Sequence, residues 1–289
     1  MSLKTVLAPL LGDDADTAIL NAARSIAAIH GAHIFVAHVH RDPRDVLVPQ
    51  IGMGMSASMI ETIVEQAENA AKEARAASLA AFDRWREANN LPVVEKPTET
   101  DGVTVSFETM VGEPATLVTR RARMVDVICV VAPADRESND ALAIAEAAIL
   151  ESGKATLVVP HDVTMPEITG IAIGWNASKE AAAAVAHAMP LLESADKVLV
   201  MSGTDDDLTK EQLGTFVDSL RWHGVKADAK AFDASSGSIS GRLQAEAREV
   251  NAQLLVLGAY SHSRFRESIF GGVTDDILSA ARIPVLMAH

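Results

Sequence analysis

Residues 141–159 of this chain align with residues 269–287 without a gap, so that Ile149-Leu150 falls on Ile277-Leu278 and Thr156-Leu157 on Pro284-Val285. No other feature limits the possible folds as much. A unit that recurs must be packed twice, so self-similarity is settled before any single element is assigned. The pattern ahead of each tail recurs too. In the first half, Val/Ile/Leu-rich runs at 5–10, 34–39, 103–110, 125–131 and 155–159 alternate with helix-like stretches. One of these stretches, at about 56–89, follows a loop holding Pro43 and Pro49, and another opens on Gly112-Glu113-Pro114-Ala115, with proline suited to a first helical turn. In the second half the runs are 168–174, 197–201, 225–232, 254–257 and 284–287, with helical stretches at 178–192, 208–223, 241–250 and 274–281. Each copy therefore reads β-α-β-α-β-α-β-α-β. This alternation predicts an α/β protein: two tandem copies of a five-stranded parallel sheet with right-handed crossovers. Residues 160–167, with Pro160 and Pro166, read as a linker between a domain at 1–160 and one at 168–289.

Composition narrows the function. A net charge of −14 disfavours polyanionic partners, so no nucleic-acid surface is expected. A single small anion remains possible, because helix N-termini and backbone N–H groups act irrespective of net charge. No apolar run has the length of a membrane span, and no secretory pattern follows Met1. A cytoplasmic protein without membrane contacts is the expectation. The lone Cys129 sits in an apolar run and reads as a buried structural thiol.

The most informative stretch lies at 255–274. A buried strand ends at Gly258, a polar loop containing Ser261, Arg264 and Arg266 follows, and Gly271-Gly272-Val273 immediately precede a helix opening near Thr274. Glycine lets a backbone approach a ligand closely, and a helix start offers unpaired N–H groups to an anion. This spacing resembles the universal stress protein family, which carries Gly, two residues, Gly, nine residues, Gly, then Ser or Thr after its fourth strand. Here Gly258, Ser261 and Gly271 stand at the matching places, and Gly272 stands where Ser or Thr is usual. Asn176-Ala177-Ser178 matches the family's Asp-Gly-Ser after the first strand, and Ile283-Pro284-Val285-Leu286 resembles its last strand.

The resemblance implies a Rossmann-like nucleotide-binding fold in which Asn176, Gly258, Ser261, Gly271, Gly272, Val273 and Thr274 hold an adenine nucleotide, ATP with Mg accompanying it. It further implies a stress-response regulator or sensor acting on a protein partner. In single-domain relatives the last strands meet across a dimer, so 155–159 and 284–287 are expected to meet within this one chain as an intramolecular pseudo-dimer. The first half resembles the family at Phe35-Val36-Ala37-His38-Val39 and at Gly112-Glu113-Pro114-Ala115. Its loop, however, reads Val131-Ala132-Pro133-Ala134-Asp135, with Ala143-Ile144 where Gly271-Gly272 stand and Leu11 at the family's Asp position. The extra Cβ atoms and a proline without an N–H predict lost phosphate binding there.

Other patterns carry less chemistry. His38 and His40 share a strand face but lack further ligands at metal spacing, so they read as structural. Met53, Met55 and Met59 read as core or interface packing. Gly153-Lys154-Ala155-Thr156 lacks the upstream glycine of a phosphate loop, and Gly237-Ser238-Ile239-Ser240-Gly241 has isoleucine where a nucleophile elbow needs serine. No positioned base and nucleophile pair is found, so an enzyme is not expected. Two alternatives stay open: a slow ATP hydrolase, and a protein-interaction module that binds no nucleotide.

Overall fold

The computed structural model describes residues 2–44, 56–97, 102–132, 139–161, 165–203, 210–233, 238–259, 274, 276–278 and 281–289. The first half runs β1 (Thr5–Leu10), α1 (Asp16–Ala28), β2 (His33–His40), α2 (Ala57–Ala88), β3 (Thr104–Val111), α3 (Pro114–Ala122), β4 (Val127–Val131), α4 (Asn139–Glu151) and β5 (Ala155–Val159). The second runs β6 (Gly170–Gly174), α5 (Lys179–Ser194), β7 (Lys197–Gly203), α6 (Lys210–Trp222), β8 (Ala227–Phe232), α7 (Ile239–Glu249), β9 (Leu254–Gly258) and β10 (Val285–Ala288). Thr274 and residues 276–278, between β9 and β10, are helical.

All the strands form one ten-stranded sheet in the order β3-β2-β1-β4-β5-β10-β9-β6-β7-β8. Every neighbouring pair is parallel except β5 and β10, which run antiparallel with Val158 opposite Val285 and Thr156 opposite Met287. The two halves thus share a sheet through their last strands, and each covers an edge the other would leave open. Strand order reverses between β1 and β4 in one half and between β6 and β9 in the other. In open parallel sheets such reversals leave crevices at the carboxyl ends of the strands.

Alternation along the strands sends residues to two apolar layers. Val6, Ala8 and Leu10 of β1 join Leu20 of α1, Phe82 and Trp85 of α2, Leu191 of α5 and Val217 of α6. Leu7 faces the other way, with Val118 of α3, Ile144 and Ile149 of α4, Leu243 of α7 and Ile277. Residues of both halves contribute to each layer, so the core is continuous between the parts joined by the linker. The linker is also packed itself: Met165 is buried and its carbonyl accepts from Ser25 Oγ at 3.3 Å.

Local sequence sets the helix starts. Ser56 Oγ accepts from the Met59 N–H to cap α2, and the Glu113 carboxylate does the same for Thr116 at the head of α3, where Pro114 needs no donor. Met59, in the first turn of α2, is not a core residue: it is 55% exposed. Met53 and Met55 lie outside the described residues. Cys129 is fully buried and its thiol is pushed far up by burial, which makes it inert.

A buried polar chain fastens α2 to the first half. Asp16 accepts from the N–H groups of Leu11 and Gly12 at 3.0 and 3.2 Å and from Ser78 Oγ at 2.7 Å. Because Ser78 spends its one proton on Asp16, its oxygen takes the Nδ1–H of His38 at 2.9 Å, which fixes the His38 tautomer. Burial, the neighbouring His40 and Arg75 lower the His38 pKa to about 4, while burial raises that of Asp16.

An unfolded histidine titrates near 6.5. On acidification the unfolded chain takes up that proton first, so stability is expected to fall from about pH 6.5 toward pH 4, by an amount on the order of 3 kcal/mol. Protonation of folded Asp16 acts in the opposite direction toward the acid end. Chemical denaturation at a series of pH values checks this. His38→Gln should flatten the curve in that window; an unchanged slope would rule His38 out as its source.

Candidate functional site

The two switch-point crevices have the same frame and different contents. In the second half, β6 ends at Gly174 and the chain turns through Trp175, Asn176 and Ala177, whose φ of 56° lies in the left-handed region. Asn176 Oδ1 accepts from the Ser178 N–H at 3.2 Å, and Ser178 Oγ caps α5 by accepting from the Ala181 N–H at 3.1 Å. Across the reversal, Gly258 closes β9. A Cβ built on Gly258 would fall on the Ala181 N–H and lie 2.6 Å from the carbonyl carbon of Glu180. The end of β9 therefore rests directly on the first turn of α5. Asn176 and Gly258 flank one crevice because β6 and β9 are hydrogen-bonded neighbours, with Gly174 opposite Leu257.

Thr274 begins the helical residues beyond the loop and is itself buried. Asp276 ties this helix to α7 by accepting from Ser240 Oγ at 2.7 Å, and Gln244 accepts from the Arg282 N–H. Ser261, Gly271, Gly272 and Val273, with Arg264 and Arg266, lie outside the described residues. Of the predicted set, the structure thus brings Asn176 and Gly258 together and places Thr274 under the surface.

The first half lines the same place with apolar side chains. Leu11 stands where Asn176 stands, and Val131 where Gly258 stands. Pro9, Leu11, Val130, Val131, Ala141 and Ile144 line a small apolar hollow there, with Asp13 beside them. Helix α4 starts at Asn139, so Ala143 and Ile144, the counterparts of Gly271 and Gly272, are inside the helix with their N–H groups committed to it. An acid, Asp140, already stands in the first turn of α4 at its positive end, and its carboxylate is paired with Arg41, which also reaches Glu113.

Sequence reasoning missed one aromatic pair. Trp175, immediately before Asn176, stacks on Phe216 of α6 with ring centroids 3.7 Å apart and planes 3° apart. The adjacency of Trp175 to Asn176 was visible in the sequence, but its partner on another helix was not. His38 and His40 stand with ring centroids 5.3 Å apart, and among the described residues no three His, Cys, Asp or Glu side chains group as a metal site. No helix of the described residues is long and apolar enough to cross a membrane.

A doubled, mostly parallel α/β chain with a crevice at each strand reversal, one lined by apolar side chains and one bordered by glycine, defines the class. The chain belongs to the universal stress protein family, whose sequence profile matches residues 124–289. A universal stress protein from Archaeoglobus fulgidus DSM 4304 shares the fold with a TM-score of 0.68 at 14% identity, over 99% of this chain and 96% of its own. A functionally unknown protein from Pseudomonas aeruginosa PAO1 gives a TM-score of 0.55 at 13% identity, over 99% and 92%. A universal stress protein solved in complex with cAMP is matched over its full length and 56% of this chain, at 16% identity and a TM-score of 0.32. No curated protein matches this chain.

Proposed function

We propose that this protein is a regulatory or sensory member of its family that binds an adenine nucleotide, ATP, in the β6/β9 crevice of its second half. The observation that carries this reading is the contact of Gly258 with the first turn of α5 beside Asn176, set against Leu11, Val131 and Ile144 in the first half. In the second half Gly258 lets the end of β9 close onto the first turn of α5, and Asn176 beside it supplies an amide for a ribose hydroxyl. Ser261, Gly271, Gly272 and Val273 would cradle phosphates ahead of the helix containing Thr274. Magnesium would arrive with those phosphates. The first half serves as the intramolecular partner that a single-domain relative obtains by dimerising, and a protein partner in the cytoplasm would read the nucleotide state.

Titration calorimetry with ATP is expected to give one site per chain. At about a hundred times the dissociation constant, bound nucleotide should add roughly 2.7 kcal/mol of stability. Two equivalent sites would show that the first-half crevice is open after all. No shift with ATP, ADP or AMP would favour the nucleotide-free interaction module. Phosphate released from ATP at a steady rate would favour the slow hydrolase.

A further inference from the structure

Trp175 and Phe216 form a flat two-ring stack at the carboxyl end of β6, and both rings are only half-buried. The stack is specific to the second half. The residue in register with Trp175 in the first half is Leu10, which is fully buried. There the crevice is also roofed: a Cβ on Gly12 would fall on the Ala74 carbonyl of α2, and Ser78 one turn later binds Asp16. In the second half the corresponding helix α6 is shorter, at 13 residues against 32, and presents Phe216 instead.

Position gives the stack a use. Gly258 ends β9, Asn176 follows β6, and the Trp175 N–H binds the Met201 carbonyl of β7 at 2.7 Å. Gly258 and Asn176 stand at the ends of neighbouring strands, which lie about 4.8 Å apart, and Trp175, next to Asn176 on the end of β6, is held on the far side by β7 and by Phe216 of α6. A nucleotide carries phosphate, sugar and base in that order. With phosphate at the β9 end and the sugar at Asn176, the base falls at Trp175.

We infer that Trp175, backed by Phe216, is the base-stacking residue of this crevice, so that its ligand is an aromatic nucleotide rather than a bare phosphate or polyphosphate. The inference rests on the nucleotide reading of the β6/β9 crevice and adds a requirement that reading does not contain. An indole face accepts any planar base, and Phe216 holds it flat so that little rotamer freedom is lost on binding. Phe216 does not touch the ligand; it is a positioning residue.

The test compares ATP with inorganic triphosphate on the parent, Trp175→Leu and Trp175→Phe. Trp175→Leu installs the first-half residue type. It should weaken ATP at least about tenfold and leave triphosphate affinity unchanged, whereas Trp175→Phe should retain most of the ATP affinity. A measurement that leaves Trp175 in place guards against a variant that fails to fold. In Trp222→Phe, which removes an indole 90% exposed on α6, ATP should quench tryptophan emission and triphosphate should not. A folded Trp175→Leu that binds ATP like the parent, or a parent that binds ATP no better than triphosphate, overturns the stacking role while the phosphate site stands. A parent that binds neither ligand removes the nucleotide reading itself, and the stacking role with it.

Discussion

Gly258→Ala is expected to destabilise the second half by about 2–3 kcal/mol and to abolish nucleotide binding. The substitution adds one methyl group, and that methyl would coincide with the Ala181 N–H and crowd the Glu180 carbonyl carbon at 2.6 Å. Those atoms are backbone in the first turn of α5, fixed by the Ser178 cap, so no side chain can swing aside. Relief requires α5 and the end of β9 to separate, which moves Asn176 as well. Thermal melting should show a drop on the order of 6 °C, and calorimetry a loss of the ATP signal. A variant within 0.5 kcal/mol of the parent, still binding ATP, would mean that strand and helix do not meet as described.

Asp16→Ala should cost about 3 kcal/mol or more, for a different reason. It strands the Leu11 and Gly12 N–H groups and the Ser78 hydroxyl in a buried place, and each unsatisfied buried group costs roughly 1–3 kcal/mol. Relief from burying a carboxylate with a raised pKa offsets part of this. Asp16→Asn keeps an acceptor and the volume, and should lie between the alanine variant and the parent. Because Ser78 fixes α2, the emission of Trp85, buried on the same helix, should shift to the red in the alanine variant. Urea denaturation gives the free energy; a change below 0.5 kcal/mol would show that the polar chain is not what holds α2 down.

Much of this could be read from the sequence because it is local. Strand runs and helix caps depend on residues close in the chain, and Ser56, Glu113-Pro114 and Ser178 each start a helix where the sequence signals it. The gapless match of the two tails gave the doubling, and from it the shared strand order. The helical course of the first half at its own loop position was legible too. Ala143-Ile144 against Gly271-Gly272 is a difference of helix propensity, and in the first half α4 does run through those positions. Asp16 lies in the first turn of α1, yet it is 1% exposed and serves the loop before it and a helix far along the chain.

The sequence by itself determined the class of fold and the repeat, since both follow from periodicity and from the match of one half to the other. Only the tertiary structure decided what meets across long separations. It fixed the antiparallel register in which the expected pair β5 and β10 meet, Val158 opposite Val285, so that two sheets became one. It laid α2 over Gly12 in one half and stacked Trp175 on Phe216 in the other. The physical reason is that such contacts depend on how two faces, each satisfactory alone, come to share a core, and a one-dimensional pattern states which residues want burial without stating against whom.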